Sequence, residues 1–128
     1  MNDFFIEKKM YYHDTDSGGV VYYASYLKHL EEARSEYLLS KGVDLTAYAK
    51  EGVVFPVVRL EVDYKSPARY GDILRIFTKV ERIGNCSIHI LQEIKRGDTI
   101  IIQAKIVWAC VDGNMKPRRI PEEIKAAI

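Results

Sequence analysis

From residue 57 onward the chain alternates apolar and polar residues in long runs broken by two short turn signals, and few folds accommodate that pattern. Val58, Leu60, Val62 and Tyr64 interleave with Arg59, Glu61, Asp63 and Lys65. Period-two alternation of this kind predicts a strand with one buried and one wet face. Ile73–Arg82, Cys86–Lys95 and Thr99–Val111 read as three further strands, separated by Gly84-Asn85 and Gly97-Asp98. Connections that short are hairpin signals, so these strands are expected to be antiparallel. Strands of ten residues or more twist strongly, which predicts a curved sheet.

Ahead of the sheet the pattern differs. Phe4, Ile6, Met10 and Tyr12 share one parity against Glu7 and Lys9, predicting a first strand over Phe4–Tyr12. Then Tyr26, Leu30, Ala33 and Tyr37 recur at helical spacing, widened by Leu27 and Leu38, while Lys28, Glu31, Glu32, Arg34 and Glu36 fill the rest. Ser25 is the expected N-cap and Gly42 the expected stop. A weaker helical or looped stretch covers Leu45–Glu51. One long helix and about five antiparallel strands predict an α+β domain with the helix on the sheet's apolar face. An open sheet leaves edges, and pairing with a second copy would cover one.

At 128 residues the chain suits a single domain spanning 1–128. Its 19 lysines and arginines against 18 acids leave no basic excess for nucleic acid. No apolar run approaches the ~20 residues of a membrane span, and no secretory leader is evident. Cys86 and Cys110 sit in apolar strands without CxxC spacing, which suits buried thiols in a reducing, cytoplasmic setting. GxSxG, GxxxxGK[ST], HExxH and clustered metal-ligand spacings are absent, so neither a metal nor a redox cofactor is implied.

The stretch between first strand and helix carries the chemistry. Asp14-Thr15-Asp16-Ser17-Gly18-Gly19 is rich in turn formers, and by pattern alone both aspartates serve local turns. Asp16, however, stands just before a helix whose free N–H groups and positive dipole end favour negative charge, including charge that develops in a reaction. A carboxylate beside a ready oxyanion site suits attack on an activated carbonyl.

The run Tyr11-Tyr12-His13-Asp14-Thr15-Asp16-Ser17-Gly18-Gly19-Val20-Val21-Tyr22, with Ala24-Ser25-Tyr26-Leu27 and Glu31-Glu32-Ala33-Arg34, resembles the hot-dog-fold acyl-CoA thioesterases. It is most similar to the branch containing 4-hydroxybenzoyl-CoA thioesterase and the YbgC-type enzymes. The likeness continues through Tyr64-Lys65-Ser66-Pro67-Ala68-Arg69-Tyr70-Gly71-Asp72 to Lys116-Pro117-Arg118-Arg119-Ile120-Pro121. The resemblance implies a curved sheet wrapped around a central helix, and hydrolysis of an acyl-CoA or acyl-carrier-protein thioester to acid and thiol. It places the catalytic aspartate at Asp16, acting either as nucleophile or as general base. Tyr12 matches a functional tyrosine, and the main-chain N–H of Tyr23 matches the oxyanion donor. Gly19, Val20, Tyr26, Lys116 and Arg118 take substrate-binding roles, the basic pair on coenzyme A phosphates. The resemblance also implies a homodimer or homotetramer with its site at the subunit interface.

One departure bears on mechanism. YbgC-type sequences usually carry histidine where this chain has Tyr23; the hydroxybenzoyl-CoA branch has tyrosine. A backbone donor survives the change, but a proton-shuttling imidazole does not, because the phenol has a pKa of about 10. His13 is expected to point away from Tyr12 and into solvent, and Glu31 and Glu32 to lie on a solvated helix face. Two other functions fit the resemblance less well. Hydroxyacyl-thioester dehydratases carry a His-Phe-Pro signature that is missing here, and a non-catalytic acyl-ligand binding module would bind acyl-CoA without releasing thiol.

Overall fold

The computed structural model describes residues 3–128. Strand β1 (Phe5–Lys9) leads through a single 3-10 turn (Tyr12–Asp14) and a glycine loop into helix α1 (Ser25–Ser40). A short helix α2 (Leu45–Lys50), capped by Asp44 accepting the Thr46 N–H at 2.9 Å, precedes β2 (Val57–Tyr64). Then follow β3 (Ile73–Ile83), β4 (Ser87–Arg96), β5 (Thr99–Ala109) and a final helix α3 (Glu122–Ala127). The five strands form one antiparallel sheet in the order β1-β3-β4-β5-β2. The hot-dog arrangement is thus the observed one, a sheet curved about α1.

The core lies between α1 and the inward faces of the strands. Tyr26, Leu30, Ala33 and Leu38 pack against Ile76, Ile90, Ile94, Ile106 and Trp108, all buried. Burial of this stripe, more than helix propensity, holds α1 in place. Gln92 pins the helix to the sheet, donating to the Leu30 carbonyl and to Thr78 Oγ1 at 2.9 Å each while accepting from Arg34 Nη1 at 2.9 Å. Cys110 is buried and Cys86 half-buried, both free, and burial pushes the Cys110 thiol up, keeping it protonated.

Several expectations are corrected. β1 ends at Lys9, because the backbone turns at Tyr12 into the 3-10 segment, so Tyr12 leaves the buried parity and is 74% exposed. Ala24, not Ser25, occupies the N-cap position, and it has no side-chain cap. Gly42 terminates α1 as expected, with φ +78° just beyond the last turn. Arg34 is buried, its guanidinium stacked 5.8 Å above the Trp108 ring. Helix α3 is not among the expected elements, although Pro121 followed by Glu122 and Glu123 is a helix-start pattern; Ile120 and Ile124 anchor it to the core.

β2 departs most from expectation. A bulge between Val57 and Arg59 breaks its alternation, and its apolar face is only partly covered, with Val62 against the core and Tyr64 against Tyr23 and Tyr26. Val57, Val58, Leu60 and Tyr64 are all exposed, since α1 packs against β1 and β3 at the other side of the sheet.

Candidate active site

The Asp16 loop is a tight antiparallel return. The Asp16 N–H donates to the Val20 carbonyl at 2.9 Å, the Gly19 N–H to the Asp16 carbonyl at 3.1 Å, and Thr15 bridges Val21. The two glycines serve the loop differently. Gly19 has φ +80°, and a Cβ on Gly18 would stand 3.2 Å from Asp16 Oδ1. That oxygen accepts the Gly18 N–H at 2.8 Å, so Asp16 does form the local turn its residue type suggests. Its carboxylate is nevertheless exposed at the loop tip.

The helix start completes the corner. The Ser25 N–H donates to the Tyr22 carbonyl at 2.8 Å and the Leu27 N–H to the Ala24 carbonyl at 3.1 Å. Among the described residues, no main-chain acceptor takes the Tyr23 or Ala24 N–H. The Tyr23 carbonyl is held by the Tyr64 hydroxyl at 3.1 Å, which fixes this peptide relative to β2. Tyr22 and Tyr23 rings lie 4.7 Å apart, and the hydrogen bond between their phenols, with the charge of Asp16 adding to it, pushes the Tyr22 hydroxyl upward.

The segment Tyr64–Asp72, the second motif of the resemblance, meets the first. Val21 N–H donates to the Ala68 carbonyl at 2.8 Å and Val20 bridges Arg69. Asp72 secures that connection, accepting from the Arg69 N–H at 2.8 Å and from Arg96 at 2.9 Å. Tyr26 is buried, its hydroxyl accepting the Ala68 N–H at 3.2 Å; it walls a hollow of about 280 Å³ with Val21, Tyr23, Tyr64 and Pro67. A larger hollow of about 680 Å³ lies elsewhere, beside Tyr37, Glu61, Lys79 and Lys105, and none of the expected site residues lines it.

Not every expected residue joins this corner. Tyr12 stacks on Tyr70 with ring centroids 4.0 Å apart and makes no hydrogen bond to Asp16. His13 is exposed and stacked on Tyr11, as solvent exposure predicts, although it sits in a turn and not a strand. Lys116 and Arg118 stand at the far end of the sheet. The Arg118 main chain bonds to Cys110 just beyond β5, and its Nη1 donates to the Gly52 carbonyl at 3.3 Å. The Asp16 loop instead adjoins Ala68, whose segment is tied to Ile101 near the start of β5. β5 is 11 residues long, roughly 35 Å at about 3.3 Å per residue, so one chain cannot bring Arg118 to Asp16.

The residues that sequence reasoning passed over are Asp14 and His29, both buried. Asp14 Oδ2 accepts the Tyr11 N–H at 2.9 Å, Oδ1 faces His29 Nε2 at 2.9 Å, and its carbonyl accepts the Tyr22 N–H at 2.8 Å. Helical spacing held a signal for His29: it lies three residues after Tyr26 and four before Ala33, on the flank of the buried stripe. Glu32 likewise is not a purely solvated residue, since it contacts His29 Nδ1 at 3.1 Å and Lys8 Nζ at 2.9 Å.

Known proteins decide the class. The Thioesterase-like superfamily model matches residues 12–128. The chain belongs to that superfamily. It is 38% identical over 128 residues to "Acyl-CoA thioesterase YbgC" of Haemophilus influenzae, covering 98% of this chain and 94% of that one. It is 39% identical over 120 residues to "Acyl-CoA thioester hydrolase YbgC" of Escherichia coli O6:H1, covering 92% and 90%. A probable thioesterase from Bartonella henselae superposes with TM-score 0.89 at 31% identity, over 94% of this chain and all of that one. As a member of the thioesterase-like superfamily the protein is a thioester hydrolase, and among its described residues no helix is long and apolar enough to cross a membrane.

Proposed function

We propose that the protein hydrolyses acyl-CoA thioesters at Asp16, in a site completed by a second copy of the chain. The observation that carries this reading is the shared loop: one tight return holds an exposed carboxylate and runs directly into a helix start with free N–H groups. The relatives named acyl-CoA thioesterase supply the substrate class.

In the general-base route Asp16 takes a proton from water, and the hydroxide oxygen bonds to the thioester carbon. The carbonyl electron pair moves onto oxygen, where the Tyr23 N–H and the helix start stabilise it. Collapse of that intermediate breaks the C–S bond, and the thiolate takes the proton back from Asp16. In the nucleophilic route the carboxylate itself attacks, expelling the thiolate and leaving an anhydride that water then opens. Both routes use the same two groups. Neither needs a histidine at position 23, which fits Tyr23 as a backbone donor.

The second copy follows from distance and from the bare strand. Two β2 edges paired antiparallel about a two-fold axis run in opposite directions. The Asp16 end of one chain then lies beside the Arg118 end of the other, while Val57, Leu60 and Tyr64 become covered. Lys116 and Arg118 of one copy would hold the coenzyme A phosphates for Asp16 of the other, with Gly19, Val20 and Tyr26 against the acyl end.

Asp16→Asn keeps the side-chain oxygen that accepts the Gly18 N–H and removes the charge. Thiol release from acyl-CoA in this variant is expected to fall by at least about 100-fold with its melting temperature preserved. Unchanged turnover would sink the assignment.

A further inference from the structure

His29 is the buried titratable side chain that the mechanism above leaves unused, and its surroundings are unusual. Its ring is 7% exposed and touches a carboxylate at each nitrogen: Asp14 Oδ1 at 2.9 Å from Nε2 and Glu32 Oε1 at 3.1 Å from Nδ1. Burial raises the Asp14 carboxyl, but the Tyr11 N–H and His29 outweigh it and hold the group below the ordinary carboxylate range. Glu32 is held low chiefly by Lys8, against burial, with His29 adding to the effect. Both carboxylates are therefore ionised at neutral pH, and an ionised carboxylate only accepts hydrogen bonds. The ring thus meets a carboxylate at each nitrogen, and the contacts form a row, Lys8, Glu32, His29, Asp14, running from β1 across the second turn of α1 to the loop. His13, with Nδ1 3.6 Å from Asp14 Oδ1, also faces Asp14, and it is mostly in solvent.

What that row holds is the Asp16 loop. Asp14 bonds at once to the end of β1 through Tyr11, to α1 through His29 and to the returning strand of the loop through Tyr22. Asp16 lies two residues after Asp14, and the Tyr23 N–H one residue after Tyr22. Any rotation of Asp14 thus moves the carboxylate and the oxyanion donor relative to each other.

We propose that His29 is a positioning residue, whose ring, bridging Glu32 and Asp14, clamps Asp14 and so sets the Asp16 carboxylate against the start of α1. This rests on the assignment of Asp16 above. His29 touches neither substrate nor reacting atoms, and its effect falls on kcat and not on substrate affinity, because misplacement of reacting groups costs rate.

The test compares His29→Phe and His29→Gln in the full-length protein. Phenylalanine keeps the ring volume under α1 and removes both ring nitrogens; the glutamine amide restores one N–H near the Nε2 position. His29→Phe is expected to lower kcat about 10- to 100-fold at nearly constant KM, and His29→Gln to recover most of that loss. An unchanged kcat in folded His29→Phe overturns the proposal, as does equal damage in the two variants. Asp16→Asn run in parallel separates the layers. If it is inactive while His29→Phe is normal, only the positioning role fails; if it is active, the assignment beneath fails and the role with it.

Discussion

The two edges of the sheet are built in opposite ways. β1 is five residues long, presents Glu7 and Lys9 outward, and is tied to the central helix by Lys8 and Glu32. β2 is eight residues long, carries exposed Val57, Val58, Leu60 and Tyr64, and among the described residues has no strand on its free side. Short, charged edges discourage pairing, whereas a long apolar edge with an unpaired ladder invites it. The helix explains the asymmetry. Because α1 packs chiefly on β1 and β3, the apolar face that the alternation of β2 advertises is only partly covered: Val62 packs against the core and Tyr64 against Tyr23 and Tyr26, while Val58 and Leu60 stay exposed. What looks like a core strand in the sequence is an exposed edge strand in the fold.

Placing a charge on the bare edge should have the largest consequence. Leu60→Glu is expected to leave a folded monomer by light scattering and to cut turnover roughly 100-fold, since Asp16 and Arg118 would no longer meet. An active monomer would break the contrast between the edges. The core beneath α1 sharpens it from the other side: Leu30→Ala is expected to cost about 2–5 kcal/mol in denaturant unfolding, because Leu30 is fully buried where the helix meets β3 and β4.

The smallest effect belongs to the β1 side. Asp14 and Glu32 are both held below their ordinary carboxylate values by their folded partners. Their contribution to stability is therefore complete above pH of about 4–5, where the unfolded groups also ionise, and is lost as pH falls through the lower folded values. Urea midpoints measured from pH 6 down to pH 2 are expected to fall less in Asp14→Asn than in the unmutated protein; a parallel fall would remove Asp14 from the account.

Much of the fold is legible in the order of residues along the chain. Hairpin signals at Gly84-Asn85 and Gly97-Asp98 specify antiparallel neighbours because connections so short permit nothing else; Gly97-Asp98 is the two-residue turn between Arg96 and Thr99, while the first connection runs over residues 84–86. The stripe of Tyr26, Leu30, Ala33 and Tyr37, widened by Leu27 and Leu38, marks the buried side of α1 for the same local reason, a 3.6-residue period, with Tyr37 and Leu27 half-buried at its margin. Asp16 is legible through its place in a long motif. Tyr12 is misread because a single 3-10 turn ends the strand parity, a choice made by the Asp14 carboxylate capping Tyr11 and not by the residues of the strand.

Sequence alone determined most of the elements, the β3-β4-β5 hairpins and the loop that carries Asp16, since each depends on residues close together in the chain; the placing of β1 beside β3 and of β2 beyond β5 was not among them. Tertiary structure decided the rest: that Asp14 is a buried anchor while Asp16 is free, that His29 bridges two carboxylates, that β2 lies bare, and that Arg118 stands a sheet's length from Asp16. These facts depend on which distant segments meet. Contacts such as Asp14 with His29 or Val21 with Ala68 are made across turns and strands, and no local periodicity encodes them.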